Sequence, residues 1–149
     1  MTTSPLCPMC ETGTLTPLTF EDSFICKGKT INVQGLLGMH CTQCGADPIL
    51  TEQILSNQQK IADAKRAAAG MLTSADIRQI RQTLKLSQKD CSLLLGGGPN
   101  AFSKYERGEV LQSDAMDALL YIVHKFPFTL DALRHCHNGD TVTKLVNKE

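Results

Sequence analysis

The spacing of apolar positions changes character near residue 50. Before it, Thr14–Phe20, Ser23–Lys27 and Thr30–Gln34 are rich in β-branched and aromatic residues, the composition of strands. Thr30-Ile31-Asn32-Val33-Gln34 alternates polar and apolar, which predicts a strand with one buried face. Lys27-Gly28-Lys29 supplies a hairpin turn between the last two segments. The expectation is a small twisted antiparallel sheet.

From Thr51 onward the period is helical. Ile54, Leu55, Ile61 and Ala62 trace one apolar edge of a helix that Gly70 ends, with Gln58, Gln59, Lys60, Lys65 and Arg66 expected on its solvent face. Residues 51–72 therefore read as a connector helix and linker. Thr73-Ser74-Ala75-Asp76 and Ser87-Gln88-Lys89-Asp90 are capping boxes, each placing a carboxylate three residues after a hydroxyl. The first opens a helix whose face runs through Ile77, Ile80, Arg81 and Leu84; the second opens one through Cys91, Leu94 and Leu95. After Gly96-Gly97-Gly98 comes a helix of about two turns stopped by Gly108. Ser113 can cap a fourth, with Met116, Leu119, Leu120, Val123 and Phe126 on one stripe, closed by Pro127. Thr129–Arg134 begins a fifth. Residues 73–138 thus form a compact five-helix domain, and 139–149 read as a mobile tail.

Composition narrows the class. Fifteen Lys and Arg balance fifteen Asp and Glu, so no overall positive field draws the chain to nucleic acid, and any DNA contact must be local and geometric. The start, MTTSPLCPMC, lacks the basic and apolar runs of a secretory signal, and no apolar run is long enough to cross a bilayer. The reading is cytoplasmic. There, seven cysteines are better explained by metal and reduced thiols than by disulfides.

Cys7-Pro8-Met9-Cys10 and Cys41-Thr42-Gln43-Cys44 are two CxxC pairs. Together they offer four thiolates, the ligand number of a structural Zn2+. One such ion would hold a sheet with too little apolar surface to fold alone. Four thiolates leave no position for water, which excludes a catalytic zinc. A thioredoxin-like reading needs a βαβ context that is missing here. Cys26 reads as a small buried side chain, and His40 as a surface or supporting residue beside the ligands rather than a competitor for the metal. No phosphate loop, Ser/His/Asp ordering or carboxylate pair beside a nucleophile points to an enzyme.

The segment Gly96–Gly108, GGGPNAFSKYERG, carries the nucleic-acid chemistry. Phe102 and Tyr105, three apart, are placed to anchor its helix in the core. Asn100, Ser103, Lys104 and Arg107 are left exposed. An Asn can pair with adenine and a Lys can donate to guanine in the major groove. Gln88, opening the preceding helix, is placed to reach a phosphate with that helix's free amides.

With both halves in view, the chain resembles the MqsA family of antitoxins over about residues 6–135. The most specific likeness is GGGPNAFSKYERG, close to the family's GGGxNAFSRYExG, preceded by CPMC and CTQCG. The resemblance implies an α+β protein: a zinc-stapled β domain over residues 1–50, then a helix-turn-helix domain of the XRE, lambda-repressor-like class. It implies a toxin-antitoxin antitoxin that dimerises through its C-terminal domain and represses its own operon by binding a palindrome in double-stranded promoter DNA. It also implies a cognate toxin, a ribonuclease in the best-known pairs, held by the zinc domain. Asn100 and Lys104 match the family's base-reading Asn and Arg. Lys lacks the planar fork of Arg, so guanine discrimination is expected to differ. The alternative is a stand-alone zinc-containing regulator of the same fold with no toxin.

Overall fold

The structure, a computed structural model, describes residues 5–137. The segment read as a mobile tail lies outside the described residues. The chain divides after Gly70 into two compact units, and its class is α+β.

The first unit holds β1 (Leu15–Cys26), β2 (Lys29–Cys41) and α1 (Thr51–Ala69). Lys27 and Gly28 both adopt left-handed backbone, at φ 47° and 77°. A two-residue turn of that hand matches the twist of the strands, so they continue as one antiparallel ribbon. The register runs from Leu15 opposite Cys41 to Cys26 opposite Lys29, with a bulge between Phe20 and Asp22. Two long strands thus replace the three short segments expected from the sequence. The missing portion, Leu36–Cys41, does not alternate because Leu36, Gly38 and Met39 are all buried. The Phe20 ring lies on Gly38 and fills the place of its absent side chain.

Although read as a connector, α1 packs on β2 within the first unit. Polar side chains make many of its contacts, Lys60 of the expected solvent face among them, while Gln58 stays exposed. Asn57 accepts from the Leu37 N–H at 2.8 Å and donates to the Leu37 carbonyl at 2.8 Å. Gln53 donates to the Gly38 carbonyl at 3.0 Å, and Lys60 donates to that of Gly35. Arg66 is fully buried and pairs with Asp63 at 2.9 Å, while the Lys65 ammonium sits 5.5 Å from the Phe24 ring centre. Of the expected apolar edge, Ile54 and Leu55 are exposed, while Ile61 is half-buried and Ala62 buried. The reason is chemical: α1 meets a strand edge, whose free N–H and C=O groups require polar partners.

The second unit contains α2 (Ser74–Thr83), α3 (Gln88–Leu95), α4 (Ala101–Arg107), α5 (Asp114–Lys125) and α6 (Thr129–His137). Both capping boxes form. The Asp76 N–H donates to the Thr73 hydroxyl at 3.2 Å while the Thr73 N–H donates to the Asp76 carboxylate at 2.8 Å. The Ser87 and Asp90 pair repeats this with bonds of 3.0 and 3.3 Å. Ser113 caps α5 through the Met116 N–H at 3.1 Å. One core joins Ile77 and Ile80 of α2, Cys91 and Leu95 of α3, Phe102 and Tyr105 of α4, Met116, Leu120 and Val123 of α5, and Leu130 of α6. The expected stripe on α5 stops one turn early, because Phe126 lies on the surface.

Candidate metal centre and nucleic-acid face

The four thiols of the two CxxC pairs converge. The ribbon brings Cys41, at the end of β2, beside the knuckle that precedes β1, where the Cys7 N–H donates to the Gly13 carbonyl at 2.9 Å. All four sulfurs lie within 4.8 Å of one another, with Cys7 to Cys44 at 3.8 Å and Cys10 to Cys41 at 3.7 Å. Thiolates bound tetrahedrally about 2.3 Å from a zinc ion stand about 3.8 Å apart. The spacing therefore suits a metal ion and is far too long for a disulfide. The cluster is able to hold a metal ion. Cys26 and His40 stand outside it: the Cys26 thiol donates to the Lys65 carbonyl at 3.5 Å, and His40 Nδ1 pairs with Asp47 at 2.6 Å.

Backbone amides prepare the sulfurs for charge. The Met9 N–H donates to Cys7 at 3.4 Å, the Gly13 N–H to Cys10 at 3.3 Å, and the Cys44 N–H to Cys41 at 3.5 Å. The Thr12 amide, then its hydroxyl and the Gly13 amide, bring the Cys10 thiol down to about 6. The amides of Cys44 and Gln43 likewise lower Cys41. The Ala46 amide pulls Cys44 the same way, but the Cys41 sulfur, burial and the sulfurs of Cys10 and Cys7 outweigh it and push Cys44 up to about 12. Four thiols this close cannot all ionise without a cation among them, and metal capture displaces the remaining protons. Gly13 is required by proximity: a Cβ there would lie 2.3 Å from the Cys41 sulfur.

In the second unit, the turn from Gly96 to Asn100 joins α3 to α4. Gly96, Gly97 and Gly98 all have φ near 90°, at 90°, 94° and 94°. At Gly97 a Cβ would also meet that of Ala101 at 2.9 Å and the Tyr105 hydroxyl at 3.1 Å. α4 turns Phe102, Tyr105 and Glu106 inward, with the two rings edge to face at 5.7 Å. Asn100, Lys104 and Arg107 are exposed and Ser103 is half-buried. Asn100 is the N-cap of α4 but makes no side-chain cap bond. A groove between α3 and α4 is lined by Gln88, Lys89, Ser92, Leu93, Pro99, Asn100 and Ser103. Arg107 pairs with Glu109 at 2.8 Å.

Glu106, which the sequence reading left without a role, holds this arrangement together. Its carboxylate accepts two bonds from Arg81 of α2, at 2.6 and 3.0 Å, and one from Gln88 of α3 at 2.9 Å. Arg78 approaches at 3.4 Å, and Arg81 also donates to the Leu86 carbonyl at 3.1 Å. Gln88 thus has its Nε2 directed to Glu106. Burial alone would raise the Glu106 pKa, but the bonds from Arg81 and Gln88 overcome it and hold it below the usual carboxylate value. A lowered pKa adds stability above the unfolded value, lost as pH falls through the folded one. Glu106→Gln leaves Arg81 half-satisfied in a buried place, and is expected to cost about 3 kcal/mol. Thermal unfolding against pH checks this: the variant should also lose part of the wild type's decline below about pH 4. The sequence signal was an acid inside an otherwise amphipathic seven-residue helix, detectable only once its inward direction is known.

Residues 6–134 match the family described as the antitoxin component of the bacterial toxin-antitoxin system, MqsA. The chain is 30% identical over 135 residues to Antitoxin MqsA of Escherichia coli (strain K12), covering 86% of this chain and 98% of the relative. The match spans both the four-cysteine centre and α4. This chain belongs to the MqsA antitoxin family of bacterial toxin-antitoxin systems and is an antitoxin, not an enzyme.

Proposed function

We propose that the protein is a zinc-stapled antitoxin that binds a ribonuclease-type toxin with its first unit and represses its own operon with its second, in the cytoplasm. The observation that carries the repressor role is the two-sided α4. Phe102, Tyr105 and Glu106 are buried, while Asn100 and Lys104 stand outward one turn apart. Asn100 supplies an amide for adenine and Lys104 an ammonium for guanine. Ser103 and Arg107 flank them, Glu109 setting the direction of Arg107. Gln88 and Lys89, at the N-terminus of α3, stand where a backbone phosphate would meet the helix's free amides. The ion at Cys7, Cys10, Cys41 and Cys44 is zinc, the metal that four thiolates in tetrahedral spacing select and that has no redox chemistry.

A neutral chain needs two aligned heads to reach useful DNA affinity. Exposed Tyr121, Ile122, Phe126 and Phe128 at the end of α5 support a homodimer through the second unit. Its two α4 helices would read a palindrome in half-sites about 34 Å apart. The test is co-purification with the product of the adjacent reading frame, followed by footprinting on the shared promoter. A stoichiometric complex and a symmetric footprint are the expected results. A footprint without a toxin complex would leave only the regulator.

A further inference from the structure

The first unit has two strand edges, and it treats them differently. The outer edge of β2 is sealed from Gly35 to Cys41. The Leu37 N–H and C=O go to Asn57, the Gly38 carbonyl to Gln53, and the Gly35 carbonyl to Lys60. The Met39 N–H goes to the Pro48 carbonyl at 2.9 Å and that of Cys41 to Ala46 at 2.8 Å. The outer edge of β1 has no such cover among the described residues.

The register identifies which β1 groups face that edge. Leu15, Pro17 and Thr19 stand opposite Cys41, Met39 and Leu37, whose amides point away from β1. Directly opposed residues that do not bond one another turn their peptide groups outward on both strands. Beyond the bulge, Cys26 and Lys29 flank the two-residue turn, which makes Ile25 with Thr30 and Ser23 with Asn32 the next outward-facing pairs. The Ser23 hydroxyl bonds the Asn32 side chain at 2.7 Å, as the closer approach in such pairs allows. Pro17 fits this pattern, because the N–H it lacks would have pointed outward. From Thr19 to Ile25, only the Ser23 N–H is engaged locally, by Asp22 at 2.7 Å. The stretch has no Pro and, among the described residues, no covering segment; only the bulge at Phe20/Asp22 and the carboxylates of Glu21 and Asp22 blunt it.

We propose that the outer edge of β1 from Thr19 to Ile25 is the docking strand for the toxin, which adds an extended segment to the ribbon. Main-chain bonds would supply the affinity and side chains the choice of partner. Charge favours a toxin over a second copy. Leu15–Cys26 contains Glu21 and Asp22 and no Lys or Arg, so a second β1 would bring acid against acid. A toxin that acts on RNA presents cationic groups. The assignment rests on the antitoxin reading above.

The test uses the full chain and the protein encoded by the adjacent frame. Amide hydrogen exchange by NMR is followed at Thr19 and Ile25, free and in complex. Both should become strongly protected by the toxin. Thr19→Pro and Ile25→Pro remove outward donors in the manner of Pro17, and each should weaken toxin binding by at least about tenfold, with metal content and promoter binding unchanged. A tight complex in which these amides still exchange freely overturns the edge assignment while leaving the antitoxin reading standing. Protection without toxin that rises with protein concentration assigns the edge to a second copy and likewise overturns it. No binding of the toxin by the wild-type chain overturns both.

Discussion

Cys41→Ser is expected to abolish the folded first unit. Its apolar core beside the metal centre consists of Cys7, Leu15, Met39 and Cys41, with Cys10 and Leu50 partly buried against it, so half of that core is ligand. A structural zinc supplies on the order of 10 kcal/mol of apparent folding free energy, more than a small domain's whole margin. The variant should lose bound metal, measured by elemental analysis, and the dispersed NMR signals of β1 and β2. It should also lose toxin binding. The second unit has its own core and caps, so promoter binding in gel shifts should persist. Retention of dispersed β1 and β2 signals without metal would show that α1 alone holds the ribbon. The same unfolding is expected with a strong chelator, and more readily as pH falls, because protons compete for the thiolates.

Asn100→Ala and Lys104→Ala are expected to cost promoter binding the most. A good base contact contributes about 1–3 kcal/mol, and a dimer on a palindrome loses it twice, so each variant should bind about 2–6 kcal/mol more weakly. Gel-shift titration at fixed salt measures this, with sedimentation to show that the oligomeric state is unchanged. Both side chains are exposed and neither packs in the core, so thermal stability should stay near that of the wild type. Lys104→Arg should restore binding and sharpen guanine preference at its base pair, since a planar fork addresses O6 and N7 together. Unchanged operator affinity in the alanine variants would remove α4 as the reading helix.

Much of the second unit was legible because its signals are local. Thr73 with Asp76 and Ser87 with Asp90 lie within one helical turn, and the chain between them needs no distant partner to form the box. The three glycines before α4 stand where positive φ is required, and Phe102 and Tyr105 share a face by spacing alone. The metal ligands were legible for a related reason, since CxxC spacing is a constraint on a knuckle of four residues. Gln88 shows the limit. Its position at the start of α3 was visible, but its bond to Glu106 depends on where α4 lies.

The sequence by itself determined the α+β class, the four-sulfur metal set, the helix caps and the two-sided character of α4. Each follows from residues a turn or less apart, or from the fixed chemistry of thiolates. Tertiary structure alone decided that α1 belongs to the first unit and turns Asn57, Gln53 and Arg66 inward. A strand edge demands polar partners, so the hydrophobic period, which reports only burial against apolar surface, finds Ala62 but misses Asn57 and Arg66. Tertiary structure likewise decided that Glu106 ties α4 to Arg81 and Gln88. An ion pair between distant positions leaves no periodic trace, because its free energy comes from groups that meet only after the helices have packed.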